Sequence, residues 1–267
     1  MVDATVTVVD RGTLRTDVNH IIENFSVGTA TEPNPDTMMG EGPVYNLVID
    51  HPDATVLWDT GSHPAAGDGH WPPALYDAFE HYDADEHALP DALESAGYAL
   101  DDIDAVVQTH LHLDHAGGLH NFAGTDVPIY VHEEELQYAY YSTETDEGST
   151  AYVREDFDHD LNWEIVHRDR TELFEDLELL HLPGHTPGLL GTKLDLDGFG
   201  TALFTGDEAY TRANFHDEQP MGGALMWSKR DWFDSLQFLK DLARRTDAAV
   251  FCGHDSDDVA RMREELP

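Results

Sequence analysis

Apolar and polar positions in the first part of the chain alternate in the manner of short strands. Residues 4–9 alternate small or polar with apolar side chains, which predicts an opening strand. Residues 44–49 and 54–58 are apolar runs separated by the turn-forming residues 50–53, a pattern typical of a hairpin. Residues 12–42 are rich in Gly, Pro, Asn and Thr and are predicted to form a long loop.

Helical periodicity occurs in a few separate segments. Residues 85–97 place apolar side chains on one face and end at Gly97, a typical residue after a helix. Residues 230–245 repeat apolar positions at spacings of three and four, which predicts a second helix. A third helix is predicted at 132–141, and the polar residues 142–163 are predicted to form an irregular excursion or lid. Further strands are predicted at 103–108, 127–131, 177–182, 190–196, 201–205 and 248–252.

The predicted strands come in groups, with helices between the groups. This order favours an α+β fold with two sheets and helices packed outside them over a doubly wound parallel sheet. The chain has 267 residues and contains no repeat, no low-complexity tract and no evident linker. We therefore expect residues 1–267 to form a single domain.

The charge of the chain is extreme. It has 54 acidic and 14 basic residues, a formal net charge of −40, and the carboxylates are spread along its whole length. Such a surface repels itself in dilute salt, whereas at about 1 M salt the Debye length falls to about 3 Å and screens the repulsion. We expect a protein adapted to high salt. A cationic partner is the alternative explanation, while nucleic acid and anionic membranes are disfavoured as partners.

The cysteine content and the length of the apolar runs indicate where in the cell the protein is located. Cys252 is the only cysteine and lies in a predicted buried strand, so no intrachain disulfide is expected. The N-terminus lacks a basic region followed by a long apolar run, and no stretch approaches the roughly 20 apolar residues that span a bilayer. We expect a cytoplasmic protein without a membrane partner.

The densest group of metal-binding residue types follows the predicted strand 103–108. It comprises His110, His112, Asp114 and His115. Side chains two residues apart on an extended segment point the same way, so His110 and His112 can reach one metal ion. Imidazole and carboxylate groups suit zinc and similar divalent cations. With 17 histidines in the chain, a chance surface cluster is the competing interpretation, but the buried strand before it and the Gly-Gly turn after it favour a metal site.

Three more polar residues stand directly after apolar strands. They are His185 in Pro-Gly-His-Thr-Pro-Gly, Asp207 in Thr-Gly-Asp, and His254 in Gly-His-Asp. Each alone fits an ordinary loop histidine or a turn-forming aspartate. Together they place ligand groups at strand ends, where a rigid scaffold presents a site.

This series of motifs resembles the metallo-β-lactamase superfamily, from Asp59-Thr60-Gly61 to His254. The resemblance implies an αββα sandwich, with two mixed sheets, helices outside and the site at one edge. It also implies two divalent metal ions. His110, His112 and His185 would hold one, Asp114, His115 and His254 the other, and Asp207 would bridge them. Asp59 would steady a ligand, although a plain turn residue is an alternative for it.

A finer resemblance concerns residues 207–215, which are similar to the corresponding segment of N-acyl homoserine lactonases, the quorum-quenching lactone hydrolases. In that family a tyrosine three residues after the bridging aspartate contacts the lactone, and Tyr210 matches this position. The resemblance implies that a metal-bridging hydroxide opens the lactone ring to a hydroxy acid. Tyr210 would bind the oxyanion, and Asp114 would pass a proton to the leaving alkoxide. A packed aromatic residue is the structural alternative for Tyr210.

Other activities share these ligands. A thioester hydrolase of the hydroxyacylglutathione hydrolase type and a mononuclear-iron sulfur dioxygenase are the main alternatives. A flavodiiron protein is disfavoured by His112, and a phosphodiesterase or nuclease by the net charge. A binding protein without catalysis has no need of seven intact ligands.

The sequence leaves alternatives for the metal, the oligomeric state and the role of three tyrosines. Zinc is the default metal, with iron, manganese and cobalt as alternatives. The partner is expected to be a small lactone or ester, and the protein a monomer or a homodimer. Tyr138, Tyr140 and Tyr141 fit a substrate pocket, a dimer interface or core packing.

Overall fold

The computed structural model of the protein describes residues 1–145 and 147–267. Asp146, which falls inside the predicted excursion 142–163, lies outside the described residues.

The described residues contain twelve strands and eight α-helices, joined by loops and short 3-10 turns. The strands are β1 (Thr5–Asp17), β2 (Met39–His51), β3 (Ala54–Trp58), β4 (Phe79–His81), β5 (Ala105–Val107), β6 (Pro128–His132), β7 (Asn162–Val166), β8 (Arg170–Phe174), β9 (Leu177–His181), β10 (Leu190–Leu196), β11 (Gly200–Phe204) and β12 (Ala249–Phe251). The helices are α1 (Val18–Ile21), α2 (Pro73–Ala78), α3 (Leu89–Ala96), α4 (Glu133–Thr145), α5 (Arg154–Phe157), α6 (Arg212–His216), α7 (Lys229–Thr246) and α8 (Ser256–Glu265).

The strands form two mixed sheets. The first has the order β4-β1-β2-β3-β5-β6-β7, and its strands β3, β5, β6 and β7 are parallel neighbours. The second has the order β12-β11-β10-β9-β8, in which only β11 and β12 pair in parallel. Two sheets with helices outside them confirm the predicted α+β, αββα architecture.

The space between the sheets holds the largest apolar core. Trp58 of β3 and Phe204 of β11 meet there with ring centroids 6.4 Å apart, and Phe251 of β12 stacks on Phe204. In β2, residues 44–49 are buried without a break because this central strand is covered on both faces. A continuous apolar run, and not strict alternation, is therefore the correct signature of this strand.

Helices cover the outer faces of both sheets. Leu89 and Leu93 of α3 pack with Val106 and Leu57 against the first sheet. On the second sheet, α7 buries Trp232, Leu236 and Leu239, as its spacing predicts. Helix α7 begins where the Ser228 side chain accepts a hydrogen bond from the Asp231 amide. It ends at Asp247, which adopts a left-handed conformation.

The predicted loops are wrong in part. Strand β1 extends to Asp17, and β2 begins at Met39, so both ends of the predicted loop 12–42 pair with each other as an antiparallel ladder. The predicted excursion 142–163 contains the end of α4, helix α5 and the start of β7. Polar composition concealed these elements because the extended ends of β1 and β2 are partly exposed and short helices need few apolar residues. Among the described residues, no helix combines the length and the apolar character required to cross a bilayer.

Candidate metal centre

The predicted ligands converge because strands of both sheets end at one edge of the sandwich. Asp59 follows β3, and His110 lies three residues after the parallel neighbour β5. Strands β9, β11 and β12 all run in one direction, since β10 is antiparallel to both β9 and β11 and β12 is parallel to β11. The loops after these three strands carry His185, Asp207 and His254 to the same edge.

Three histidines form the first half of the centre. Nε2 of His185 lies 3.2 Å from Nε2 of His110 and 2.8 Å from Nδ1 of His112. All three side chains are buried. Three ring nitrogens directed at one point are the arrangement that a shared cation requires.

The second half contains Asp114, His115 and His254, joined to the first by Asp207. Oδ2 of Asp114 lies 3.6 Å from Nε2 of both His115 and His254. Oδ2 of Asp207 lies 3.5 Å from Nε2 of His110 and 3.4 Å from Nε2 of His115. Its Oδ1 lies 3.2 Å from Nε2 of His254. The two Asp207 oxygens therefore face both halves, as a bridging carboxylate must.

The chemistry of this donor set fits two divalent cations. His115 Nε2 is buried without a hydrogen-bond partner, although it points at two carboxylates. A buried polar atom without a partner is costly unless something is bound to it. Within this set, three overlapping groups of side chains are each compact enough to hold an ion. They are His110 with His112 and His185, His110 with His115 and Asp207, and Asp114 with His115 and His254.

Three of the five ligand histidines are oriented through their second ring nitrogen. Asp59 Oδ2 lies 2.8 Å from Nδ1 of His115. Nδ1 of His185 donates to the Leu225 carbonyl at 2.6 Å, and Nδ1 of His254 donates to the Pro43 carbonyl at 2.9 Å. Such bonds fix the tautomer and the ring direction of a metal-binding histidine.

Asp59 is itself held rigidly. Its φ of 58° places it in the left-handed region, at the turn after β3. Its carboxylate accepts the Thr109 amide at 2.7 Å and the Thr109 hydroxyl at 2.8 Å. The contact to His115 is what the expected role of Asp59 requires.

Burial and charge keep three of these groups, His110, His112 and Asp207, in the form that binds metal. Burial lowers the pKa of His110 and of His112 well below the usual range, so both rings are neutral at pH 7. Burial alone would raise the pKa of Asp207, but the neighbouring histidines, His115 first, outweigh it and hold the pKa well below its usual range. Neutral imidazole and ionised carboxylate are the forms that bind metal.

Tyr210 lies beside the centre. Its ring centroid is 5.0 Å from that of His254 and 5.5 Å from that of His185. Burial, followed by Asp207 and Asp114, raises the pKa of its phenol well above the usual value, so the hydroxyl keeps its proton. Tyr210 can therefore donate a hydrogen bond at the metal centre.

A pocket of about 630 Å³, including its open mouth, begins at these residues. Its floor contains Asp114, Tyr210 and His254. Apolar side chains form most of its walls: Leu14, Ile21, Phe79, Leu113 and Leu225. Residues of the segments 12–42 and 142–163 line this pocket, in line with the sequence-based expectation that an acyl tail lies along these segments.

The family model described as the metallo-beta-lactamase superfamily matches residues 39–254, which contain all seven predicted ligands. The chain belongs to this superfamily.

Members of the superfamily with similarity over nearly the full chain include N-acyl homoserine lactonases. The N-acyl homoserine lactonase AiiB of Agrobacterium fabrum is 31% identical over 264 residues, covering 96% of this chain and 95% of the relative. The N-acyl homoserine lactonase AiiA of Bacillus thuringiensis subsp. kurstaki is 29% identical and covers 91% and 92% of the two chains. A solved N-acyl homoserine lactone hydrolase, with N-hexanoyl-L-homoserine bound at its catalytic metal centre, superposes with a TM-score of 0.85. It has 24% identity and full coverage of both chains, and at this identity the likeness concerns the fold.

Sequence reasoning missed two buried charged residues behind the superfamily motifs. Glu135 of α4 accepts the Leu111 amide and the Tyr152 hydroxyl, both at 2.9 Å, and so fixes the segment between His110 and His112. Arg11 of β1 donates to the carbonyls of Thr60 and Ser62 in the turn after Asp59. Burial lowers the pKa of Arg11 to about 9. The apolar residues Val8 and Val9 just before Arg11 were the available signal for its burial, whereas Glu135 stands in an exposed-looking run of three glutamates.

The predicted aromatic cluster is not part of the pocket wall. Tyr138 lies edge-on to Tyr152 at 5.9 Å, and Tyr140 lies edge-on to Phe157 at 5.1 Å. Both pack against the apolar core outside the first sheet. Tyr141 is 46% exposed. Core packing therefore accounts for two of the three tyrosines.

Proposed function

We propose that this protein opens the lactone ring of N-acyl homoserine lactones at a dinuclear metal centre. The observation that carries the proposal is the junction of seven ligand side chains with Tyr210 at the floor of a mostly apolar pocket. Its relatives with similarity over nearly the full chain are named as lactonases for this substrate class.

We assign the seven ligands to two ions. His110, His112 and His185 would hold the first, and Asp114, His115 and His254 would hold the second, with Asp207 facing both groups. When bound, such cations polarise the substrate carbonyl and lower the pKa of water from 15.7 to about 7. Zinc is the ion we propose, because its usual ligands are imidazole nitrogen and carboxylate oxygen.

Tyr210 supplies a hydrogen-bond donor from the chain itself. Because its phenol remains protonated, it can stabilise negative charge on the carbonyl oxygen as the tetrahedral centre forms. Its buried position keeps this donor away from bulk water, where the same bond is weaker.

Asp114 is placed to move a proton. Its Oδ2 faces His115 and His254, while the residue also borders the pocket. The water that attacks the carbonyl loses a proton, and the ring oxygen that leaves the carbonyl must gain one. We assign this proton transfer to Asp114. The hydroxy acid formed is an N-acyl homoserine.

The pocket wall suits an acyl chain. Leu14, Ile21 and Phe79 border the pocket and offer apolar surface to methylene groups. Each methylene buried there contributes about 0.8 kcal/mol. We therefore expect kcat/KM to rise with acyl length until the chain outgrows the pocket.

A substrate panel in molar KCl tests the proposal. The purified protein, with its metal content measured, is offered homoserine lactones of varied acyl length, simple lactones, a glutathione thioester and a phosphodiester. We expect ring opening of the acyl homoserine lactones to give the highest kcat/KM. A higher kcat/KM on the thioester would instead assign the hydroxyacylglutathione hydrolase activity. Sulfur-dependent oxygen uptake with one bound iron would assign the dioxygenase. Cytoplasmic location, a single domain, and a monomeric or homodimeric state stay predictions.

A further inference from the structure

A second group of metal-binding side chains lies outside the active centre, where the two sheets meet. His132 ends β6 of the first sheet, and His181 ends β9 of the second. Their rings are stacked with centroids 3.7 Å apart. Glu134, in the first turn of α4, completes a set whose ligand atoms all lie within 4.8 Å of one another.

We propose that His132, Glu134 and His181 form a third cation site, which takes a transition-metal ion such as Zn²⁺ and ties the two sheets together. Two imidazoles and a carboxylate are a ligand combination that zinc uses in proteins. None of the three residues belongs to the seven ligands of the active centre.

His181 has a ring nitrogen ready to bind. Its Nε2 lies 2.8 Å from the Pro187 carbonyl, and because a carbonyl only accepts, Nε2 carries the proton. In this tautomer the lone pair is on Nδ1. Oδ1 of the exposed Asp169 lies 3.9 Å from this Nδ1 and is available as a fourth ligand.

His132 is neutral and buried, with few hydrogen bonds to its ring. Burial, and then the neighbouring His181, lower the pKa of His132 to about 4. Within the described part of the chain, its ring takes part in one hydrogen bond, a long one of 3.3 Å from the Glu134 amide to Nδ1. Turning the ring therefore breaks one long hydrogen bond and the stack on His181.

Binding requires that turn. Ligand atoms about 2.1 Å from one zinc ion in tetrahedral geometry lie about 3.4 Å apart. Stacked rings direct their lone pairs side by side, so His132 has to swing out of the stack towards the ion. The exposed Glu134 is free to follow it.

The surroundings of the set attract cations. It opens into a surface cleft of about 1120 Å³, including its open mouth, that four carboxylates border: Glu134, Asp169, Asp231 and Asp234. Arg170 also borders the cleft, but its guanidinium is paired with Glu178 at 2.8 Å. The excess of negative charge concentrates divalent cations at the two histidines.

The site is connected to the loop that carries His185. This loop joins β9 to β10, and its Pro187 carbonyl is bound by His181. On its other side, the amide of Trp227 donates to the His185 carbonyl at 3.0 Å. Trp227 itself borders the cleft and is 45% exposed, which makes it a built-in fluorescent reporter.

Metal counting on the full-length protein tests the site. Wild type, Glu134→Gln and His181→Gln are loaded with Zn²⁺ and washed in molar KCl containing excess Mg²⁺, which removes ions held only by surface charge. Bound zinc is then measured per chain. His167→Gln is the matched control, since His167 is 62% exposed and pairs with Glu133 next to the site without belonging to it.

We expect wild type and His167→Gln to retain one more zinc per chain than Glu134→Gln and His181→Gln. Equal zinc content in all four proteins would overturn the proposal. Loss in His181→Gln alone would overturn the assignment of Glu134 as a ligand. Because the result is a difference between variants, it stands apart from whether the active centre hydrolyses lactones.

Fluorescence locates the ion independently. Co²⁺ added to protein that carries two Zn²⁺ ions per chain, enough for the active centre alone, is expected to quench tryptophan emission in wild type. The quenching is expected to vanish in Trp227→Phe and in His181→Gln. Unchanged quenching in both variants would place the ion elsewhere and contradict the proposal.

Discussion

At the scale of single residues, the active centre depends on how each ligand is held. His115, His185 and His254 each use one ring nitrogen for the site and the other for an oxygen atom of the protein. Two of these oxygens belong to backbone carbonyls, so no substitution removes them. Asp59 and Tyr210 are the side chains through which orientation and catalysis can be changed separately.

Tyr210→Phe is expected to lower kcat for the lactone about 100-fold, because it removes a hydrogen-bond donor to the developing oxyanion. The aromatic packing beside His254 and His185 is retained, so metal content should be unchanged. Steady-state kinetics together with metal analysis measure this. His112→Ala, which should lose both metal and activity, is the comparison. If Tyr210→Phe hydrolysed the lactone at the wild-type rate, the tyrosine would be a packing residue and the metal assignment would remain.

Asp59→Asn is expected to weaken metal affinity by about 10- to 100-fold, because His115 loses its carboxylate partner. Asparagine tolerates the left-handed backbone of this position, so the turn itself is preserved. Competition with a chelator measures the affinity. Asp101→Asn removes the same negative charge at an exposed position, and this variant should bind metal as wild type does. Equal affinities of the two variants would exclude the orienting role.

At the scale of elements, helix α7 and the loop that carries His185 are in close contact. A Cβ atom on Gly184 would lie 2.5 Å from Cα of Trp232, which is helix backbone and cannot rotate away. The N-terminus of α7 is also hydrogen-bonded to this loop, because the Ser228 amide donates to the Gly184 carbonyl at 3.0 Å. The position of a metal ligand thus depends on the packing of a helix against the outer face of the second sheet.

Gly184→Ala is expected to lower the free energy of unfolding by about 1–3 kcal/mol, because the added methyl group overpacks the contact with α7. It should also weaken metal binding, since His185 is the next residue. Gly223→Ala is the matched control, as its added Cβ would have no heavy atom within 4 Å. Urea unfolding of both variants in molar KCl gives the comparison, and similar midpoints for the two would contradict the close-packing argument.

At the scale of the whole molecule, charge dominates the behaviour in solution. A net charge of −40 is distributed over a chain that also has to concentrate seven ligands, two of them acidic, at one edge. Repulsion between distant surface carboxylates falls as the Debye length shortens from about 10 Å at 0.1 M salt to about 3 Å at 1 M. The folded state, which brings these charges together, gains more from screening than the unfolded chain does.

We therefore expect the midpoint of thermal unfolding to rise from dilute buffer to molar KCl. Sucrose at equal osmolality is the control, since it acts by exclusion from the surface and not by screening. Calorimetry at fixed metal saturation makes the measurement. Equal midpoints in dilute buffer and molar KCl would count against adaptation to high salt.

The sequence by itself determined the fold and the seven candidate ligands, because both depend on local patterns. Apolar runs such as 44–49 mark buried strands, and a polar residue directly after such a run falls at a sheet edge. The tertiary structure decided what those patterns cannot encode. Backbone carbonyls at Pro43 and Leu225 orient two ligand histidines, and a carbonyl leaves no trace in residue type. His132 and His181 became neighbours only because two sheets meet there, since 48 residues of chain lie between these two ordinary strand ends.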